Sequence, residues 1–333
     1  MTDRILLAHG DGGQLMADLI ERVFASRLGR GEPAGDDAAH LAAAGRLAFT
    51  TDAFVVDPIF FPGGDIGRLA ICGTVNDLAT AGARPLAISA TFIIEEGLPT
   101  ADLERVVDSM ARTAEEAAVR VVTGDTKVVP RGKADKLYIS TSGIGEIAPG
   151  VSVSGANAQA GDTVIISGPV GDHGLAVLSQ REGLEFESQI LSDCAPLSGM
   201  VQALLDAAPA THTLRDPTRG GLASALNEIA SQSAVEIEIT ESSVPVRPSV
   251  AAACELLGLD PLYAANEGKM VVFVSPDAAE SALRALRGHD CGREAAVIGT
   301  VTKRHTGRVL LRTALGTHRI LDRHIGEQLP RIC

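Results

Sequence analysis

The sequence has no tryptophan and only two tyrosines, against eight phenylalanines and 35 glycines in 333 residues. Its core must therefore be built from aliphatic side chains, on a backbone that bends often. It also lacks a basic surplus: 29 Lys+Arg face 42 Asp+Glu, for a formal net charge of −13. No basic stripe can neutralise a phosphate backbone, which excludes a nucleic-acid binder. No run approaches the ~18 consecutive apolar residues of a membrane span, so no membrane partner is expected. The five cysteines, at positions 72, 194, 254, 291 and 333, form no CxxC pair. That excludes a zinc ribbon and points to reduced thiols in the cytoplasm. Asp3, Arg4, His9 and Asp11 argue against a secretory signal. Two nucleotide signatures are missing as well: GxxxxGK(S/T), and GxGxxG after a strand.

What is present reads as a globular α/β chain, 45% hydrophobic and 21% charged. Arg46 to Asp52, Ala87 to Ile94, Arg120 to Thr123 and Lys136 to Ile147 read as strands. A helix is predicted from about Arg68 to Ala81, and another opens at Pro99-Thr100. The small polar run from Gly150 to Gly161 marks a boundary. Beyond it, Thr163 to Ser167, Val235 to Ile239, Met270 to Ser275 and Ala296 to Val301 restart a similar alternation. The expected architecture is thus α/β, of α+β type, with domains over residues 1–150 and 151–320. Residues 321–333 show no hydrophobic period and are expected to form a flexible tail.

Acidic groups recur at predicted strand ends and glycine turns: Asp36 and Asp37, Asp52, Asp77 beside Asn76, Asp125, and Asp216. Each alone is also ordinary turn chemistry. Converging on one cleft, they would repel one another unless a divalent cation such as Mg²⁺, which takes hard oxygen ligands, held them. Lys127, two residues after Asp125, is either a surface side chain or a point charge for a polyphosphate. Arg219-Gly220-Gly221 opens a helix whose free N–H groups suit an anion, a weak signal by itself. Cys72, Cys194, Cys254 and Cys291 read as buried small residues. Cys333, at the end of the tail, reads as an accessible and reactive thiol.

Taken in order, Gly35-Asp36-Asp37-Ala38, Thr50-Thr51-Asp52, Asn76-Asp77-Leu78 and Glu96-Gly97-Leu98-Pro99 resemble the PurM-like ATP-binding superfamily. Gly124-Asp125-Thr126-Lys127, Asp216-Pro217-Thr218-Arg219-Gly220-Gly221 and Asn266-Glu267-Gly268 continue the series. Ala8-His9-Gly10-Asp11-Gly12-Gly13 and Pro330-Arg331-Ile332-Cys333 narrow the resemblance to the HypE family, carbamoyl dehydratases of nickel–iron hydrogenase maturation. That resemblance implies an N-terminal domain that pairs into a dimeric β-barrel and a C-terminal α/β domain, with ATP and Mg²⁺ between domains.

It further implies that a HypF-type carbamoyltransferase loads Cys333. The chain then uses ATP to dehydrate the carbamoyl group to a thiocyanate, and a HypC–HypD complex receives cyanide on iron. By the same resemblance Cys333, Lys127 and Glu267 are the catalytic candidates. Asp37, Asp52, Asn76, Asp77, Asp125, Thr126, Asp216, Gly220 and Gly221 are the nucleotide candidates, with Asp37, Asp77, Asp125 and Asp216 as metal ligands and Thr51 secondary. The rivals are a small-molecule ATP-dependent synthetase or kinase such as selenophosphate synthetase, and a non-catalytic ATP-binding scaffold. No cysteine lies in residues 1–71, where a selenophosphate synthetase needs its reactive group.

Overall fold

Alternating burial along four strands defines the first half of the molecule. The computed structural model describes residues 3–10, 13–29, 39–184, 189–302, 307–323, 329 and 331–333. Strands β1 (Arg46–Phe54), β2 (Ala83–Glu95), β3 (Arg120–Val129) and β4 (Leu137–Ile147) form one sheet in the order β1-β4-β2-β3. β1 and β2 run antiparallel to β4, while β2 and β3 are parallel. The parallel pair needs a crossover, supplied by helix α2 (Thr100–Glu116), which buries Leu103, Val106, Val107 and Met110. On the inner face, Phe54, Ala90, Phe92, Ile94 and Ile139 pack against that helix and α1 (Ile66–Thr80). Phe49, Leu47 and Ile93 stand on the outer face, 73%, 46% and 38% exposed.

Helix α1 carries apolar residues around almost its whole circumference because both halves of the molecule cover it. Asp65 caps it, its Oδ1 accepting the N–H groups of Gly67 and Arg68 at 2.8 and 3.1 Å. Each fully buried Leu or Ile contributes about 1.5–3 kcal/mol, so this helix is the chief hydrophobic anchor between the halves.

The second half is a seven-stranded sheet. Its strands are β5 (Thr163–Ile166), β6 (Thr211–Arg215), β7 (Glu236–Thr240), β8 (Val271–Val274), β9 (Ala296–Thr302), β10 (Arg308–Arg312) and β11 (His318–Ile320). They are ordered β11-β10-β7-β9-β5-β8-β6. Strand β8 is buried at all four positions. Val271 and Phe273 join a core under helix α5 (Gly221–Gln232), and Val272 and Val274 join one under α4 (Ser198–Ala207) and α6 (Ala279–Arg287). A two-sided core explains why this strand reads as an unbroken apolar run. A further helix, α3 (Asp172–Glu182), packs with the first half in a core shared by Leu175, Ala176, Phe54 and Phe61.

Candidate active site

Three carboxylates from three elements meet between the halves. Asp52, near the end of β1, faces inward with its Oδ1 on the N–H of Ala53 at 2.8 Å. Asp77, in the last turn of α1, accepts the Thr50 hydroxyl at 2.7 Å. Asp216 follows β6 directly. Burial, reinforced by Asp77 and Asp52, pushes the Asp216 carboxyl up to about 7. Burial also raises Asp52 and Asp77; the Thr50 hydrogen bond, Arg215 and Arg219 hold Asp77 back. These are oxygen donors of one sign, crowded enough to change one another's proton affinity.

Glu267 closes the acidic wall. It is 3% exposed, and burial followed by the charges of Cys194, Asp216, Asp193 and Asp52 raises its carboxyl well above the ordinary range. Its backbone is clamped on both sides. Asp193 accepts the N–H groups of Glu267 and Gly268 at 3.1 and 3.3 Å, and Lys269 Nζ lies 3.0 Å from the same carboxylate. Asn266, fully buried, accepts the Gly171 N–H at 2.7 Å and donates to the Pro217 carbonyl at 2.9 Å. One amide thus aligns the loop bearing Asp216 with the turn bearing Glu267.

The last residues of the chain dock on the segment that follows β1. The carbonyls of Cys333 and Arg331 accept the N–H groups of Val55 and Asp57 at 3.1 and 3.3 Å. Arg181 donates to the carbonyls of Arg331 and Asp57, and Arg331 pairs with Asp135 at 2.6 Å. Ile332 and Leu329 are buried in the shared core, where Cys333 also packs. The described tail residues are therefore docked, which corrects the expectation of a free arm. Two apolar side chains and a short backbone ladder are enough to hold them. Cys333 comes to rest beside the end of β1, three residues beyond Asp52.

Comparison with known proteins assigns this architecture. The family models for AIR synthase related protein match residues 35–147 (N-terminal domain) and 159–312 (C-terminal domain). The carbamoyl dehydratase HypE of Azotobacter vinelandii is 52% identical over 330 residues, covering 98% of this chain and 96% of that one. A crystal structure of hydrogenase maturation protein HypE in complex with ATP superposes with a TM-score of 0.93 at 51% identity, covering 98% and 99% of the two chains. A HypE structure from a HypE–HypF complex gives 0.82 at 49% identity, covering 94% and 100%. The chain belongs to the HypE family of carbamoyl dehydratases. Like other AIR synthase related proteins, it is an enzyme of two mixed α/β domains.

Within this HypE-family chain the sequence candidates separate into two groups. Asp52, Asp77, Asp216 and Glu267 share the inner cleft, and Cys333 is docked by its backbone on Val55, just past the end of β1. Asp125 and Lys127 lie elsewhere: both are exposed in the middle of β3, paired with each other at 2.9 Å. They point away from α1 and α2. The strand continues through Gly124 to Val129 instead of ending there, so Asp125 lies in mid-strand and not at the strand end expected. Lys127, whose ammonium lowers the Asp125 carboxyl, is not paired with Glu267 in the same chain. Thr126, on the opposite face, is buried.

Asn76 was grouped with the nucleotide ligands, but its amide joins the halves. It donates to the Ala195 and Glu267 carbonyls at 3.1 and 3.2 Å and accepts the Leu197 N–H at 2.8 Å. Gly220 and Gly221 have φ of +72° and +61°, and a Cβ on Gly221 would lie 2.6 Å from the Ala264 carbonyl oxygen. They let the N-terminus of α5 pack against residues 262–264. Thr51 faces outward, donating to the Thr141 carbonyl. Asp37, with Asp36, lies outside the described residues. Sequence reasoning missed Asp193, Lys269 and His173. Lys269 lies only two residues past Glu267, but nothing in the local pattern marks the other two. Cys72, Cys194 and Cys254 are buried as expected, Cys254 pushed up to about 11 by burial.

Proposed function

We propose that this enzyme dehydrates a carbamoyl group carried on the thiol of Cys333 to a thiocyanate, consuming ATP. The observation that carries the reading is the docked tail: the Cys333 carbonyl accepts the N–H of Val55, three residues past Asp52, and Asp52 belongs with Asp77, Asp216 and Glu267 to the acidic wall between the halves. The amide oxygen of an S-carbamoyl group is a poor leaving group. Transfer of the γ-phosphoryl group to that oxygen makes it leave as phosphate, while both amide protons depart and the C≡N bond forms. ATP becomes ADP, and the oxygen ends on inorganic phosphate. Glu267 is the base we assign to the N–H protons, because it is a buried carboxyl at the acidic wall whose backbone Asp193 clamps in place.

The donor set fits Mg²⁺. Asp52, Asp77 and Asp216 are hard oxygen ligands whose mutual repulsion a cation relieves. Among the described residues no three His, Cys, Asp or Glu side chains are gathered closely enough to hold a metal ion by themselves, so most of the sphere of Mg²⁺ would come from phosphate oxygens and water. Bound there, Mg²⁺ supplies charge neutralisation for the triphosphate. Arg215 and Arg219, which face the same carboxylates, supply further positive charge.

The exposed Leu47, Phe49 and Ile93 make the outer sheet face the surface for a homodimer, closed as a barrel. That closure carries Asp125 and Lys127 into the interface, where they serve the partner's cleft. Carbamoylation is assigned to a HypF-type transferase and cyanide acceptance to a HypC–HypD iron complex, in the cytoplasm. No described helix is long and apolar enough to cross a membrane.

The test is the intact mass of the protein after incubation with the transferase, carbamoyl phosphate and ATP, with and without Mg²⁺. Gain of one carbamoyl group on the C-terminal peptide, then ATP-dependent loss of one water, is the expected result. A tail that stays unmodified while the transferase loads another acceptor overturns the reading.

A further inference from the structure

His173 is the one fully buried imidazole in contact with the tail among the described residues, and nothing in the chemistry above uses it. It sits in the first turn of α3, edge-on to Phe61 with ring centroids 5.4 Å apart. Its Nε2 is 2.6 Å from the carbonyl oxygen of Ile332, the peptide bond that leads into Cys333. A carbonyl accepts only, so Nε2 carries the proton and Nδ1 is left as an acceptor. Nδ1 lies 2.8 Å from the Ser192 hydroxyl, which must donate to it. The same hydroxyl oxygen accepts the N–H of Cys194 at 3.1 Å. Between those two residues is Asp193, whose carboxylate accepts the N–H groups of Glu267 and Gly268. Ala195, the next residue but one, donates to the Glu267 carbonyl at 3.4 Å.

We infer that His173 is a positioning residue that couples docking of the tail to the placement of Glu267. The inference rests on the dehydratase reading and deepens it. With the tail in place, every hydrogen in the series has a fixed direction: Cys194 N–H to Ser192, Ser192 O–H to His173, His173 Nε2–H to Ile332. Withdrawing the tail strips a buried N–H of its acceptor, a state the ring relieves by turning or by releasing Ser192. Either change loosens residues 192–195, and with them the clamp on Glu267. The base is then held in working geometry only when a thiol-bearing terminus is present, which guards the bound ATP from water between visits.

The test is amide hydrogen exchange on the full chain and on a chain lacking Ile332-Cys333, in four backgrounds. His173→Gln keeps a donor near the Nε2 position and loses the acceptor for Ser192. His173→Asn does the reverse, and Ser192→Ala cuts the series with the least disturbance to folding. In the wild-type background the deletion should speed exchange at Cys194, Glu267 and Gly268 by about tenfold. In all three variants the increment should fall below about twofold. Equal increments in every background overturn the proposal.

A second readout is single-turnover conversion of pre-carbamoylated protein at saturating ATP. The rate should drop about tenfold in both His173 variants with KM for ATP unchanged; wild-type rates in both overturn the coupling. The exchange arm needs no chemistry. A wild-type protein that forms no thiocyanate defeats the dehydratase reading alone, and a normal wild type with unaltered increments defeats only the role of His173.

Discussion

The two faces of the four-stranded sheet put the same side chain to opposite use. On the inner face Asp52 lies among other carboxylates under two helices, and burial raises its proton affinity. On the outer face Asp125 lies open to solvent beside Lys127, and that ammonium lowers it. Both belong to an acidic residue–threonine or threonine–acidic residue motif on a strand, and sequence spacing treats them alike. What separates them is the period-two alternation of the strand and what covers each face. An aspartate that repels its neighbours is a site waiting for positive charge, whereas one already neutralised by lysine is a contact element.

The comparison can be broken most sharply at the inner wall. Glu267→Gln should lower ATP-dependent dehydration by about 10²–10⁴-fold while carbamoylation of Cys333 persists, measured by intact mass over time. Unchanged conversion removes Glu267 from the mechanism. The outer face is tested by mixing subunits. Lys127→Ala should be nearly inactive alone, as should Glu267→Gln. Random reassortment of the two should restore up to about a quarter of wild-type activity, because half the dimers have one intact composite site in two. No recovery would return Lys127 to a role within its own chain.

Smaller effects sharpen the electrostatic contrast. A carboxylate whose folded pKa is raised binds more protons folded than unfolded, so its contribution to stability is fully present below the unfolded value and is lost as pH rises through the folded one. For Asp216 that window runs from near 3.8 to about 7. Protein without nucleotide or Mg²⁺ should therefore lose stability between about pH 4 and pH 7, by thermal unfolding. Asp216→Asn should recover about 1–2 kcal/mol at pH 8, a figure discounted for partial solvent access, and almost nothing at pH 4. Asp125→Asn should change stability by less than about 0.5 kcal/mol at either pH, since an exposed ion pair is worth little.

Much of this was legible in the chain. Strand periods located the first sheet and four of the seven strands of the second, missing β6, β10 and β11, and Asp52, Asp77 and Asp216 were singled out because acids at the ends of elements in such folds gather ligands. Asp125 misled because Gly124 reads as a strand terminator. Here it lacks a Cβ so that β3 can approach the carbonyl of Ala90 on β2, and the strand runs on to Val129. Asn76 reads in sequence as a ligand and in the structure binds backbone across the halves, because an amide that binds backbone is indistinguishable in sequence from one that binds ligand. The docking of the tail, and with it His173, could not be read locally. It depends on pairing between residues 55–57 and 331–333, which no window of sequence contains.

The pairing of the tail with Val55 and Asp57 has a kinetic consequence. A substrate covalently joined to its enzyme has an effective concentration set by geometry, so the rate of dehydration is independent of protein concentration and mass action from outside cannot saturate it. Turnover instead depends on undocking, a local unfolding event that exposes Ile332 to water. At about 1.5–3 kcal/mol for that one side chain, burial of Ile332 alone disfavours the open state by roughly ten- to a hundred-and-fifty-fold. Any protein that reaches the Cys333 thiol from outside therefore waits on that opening.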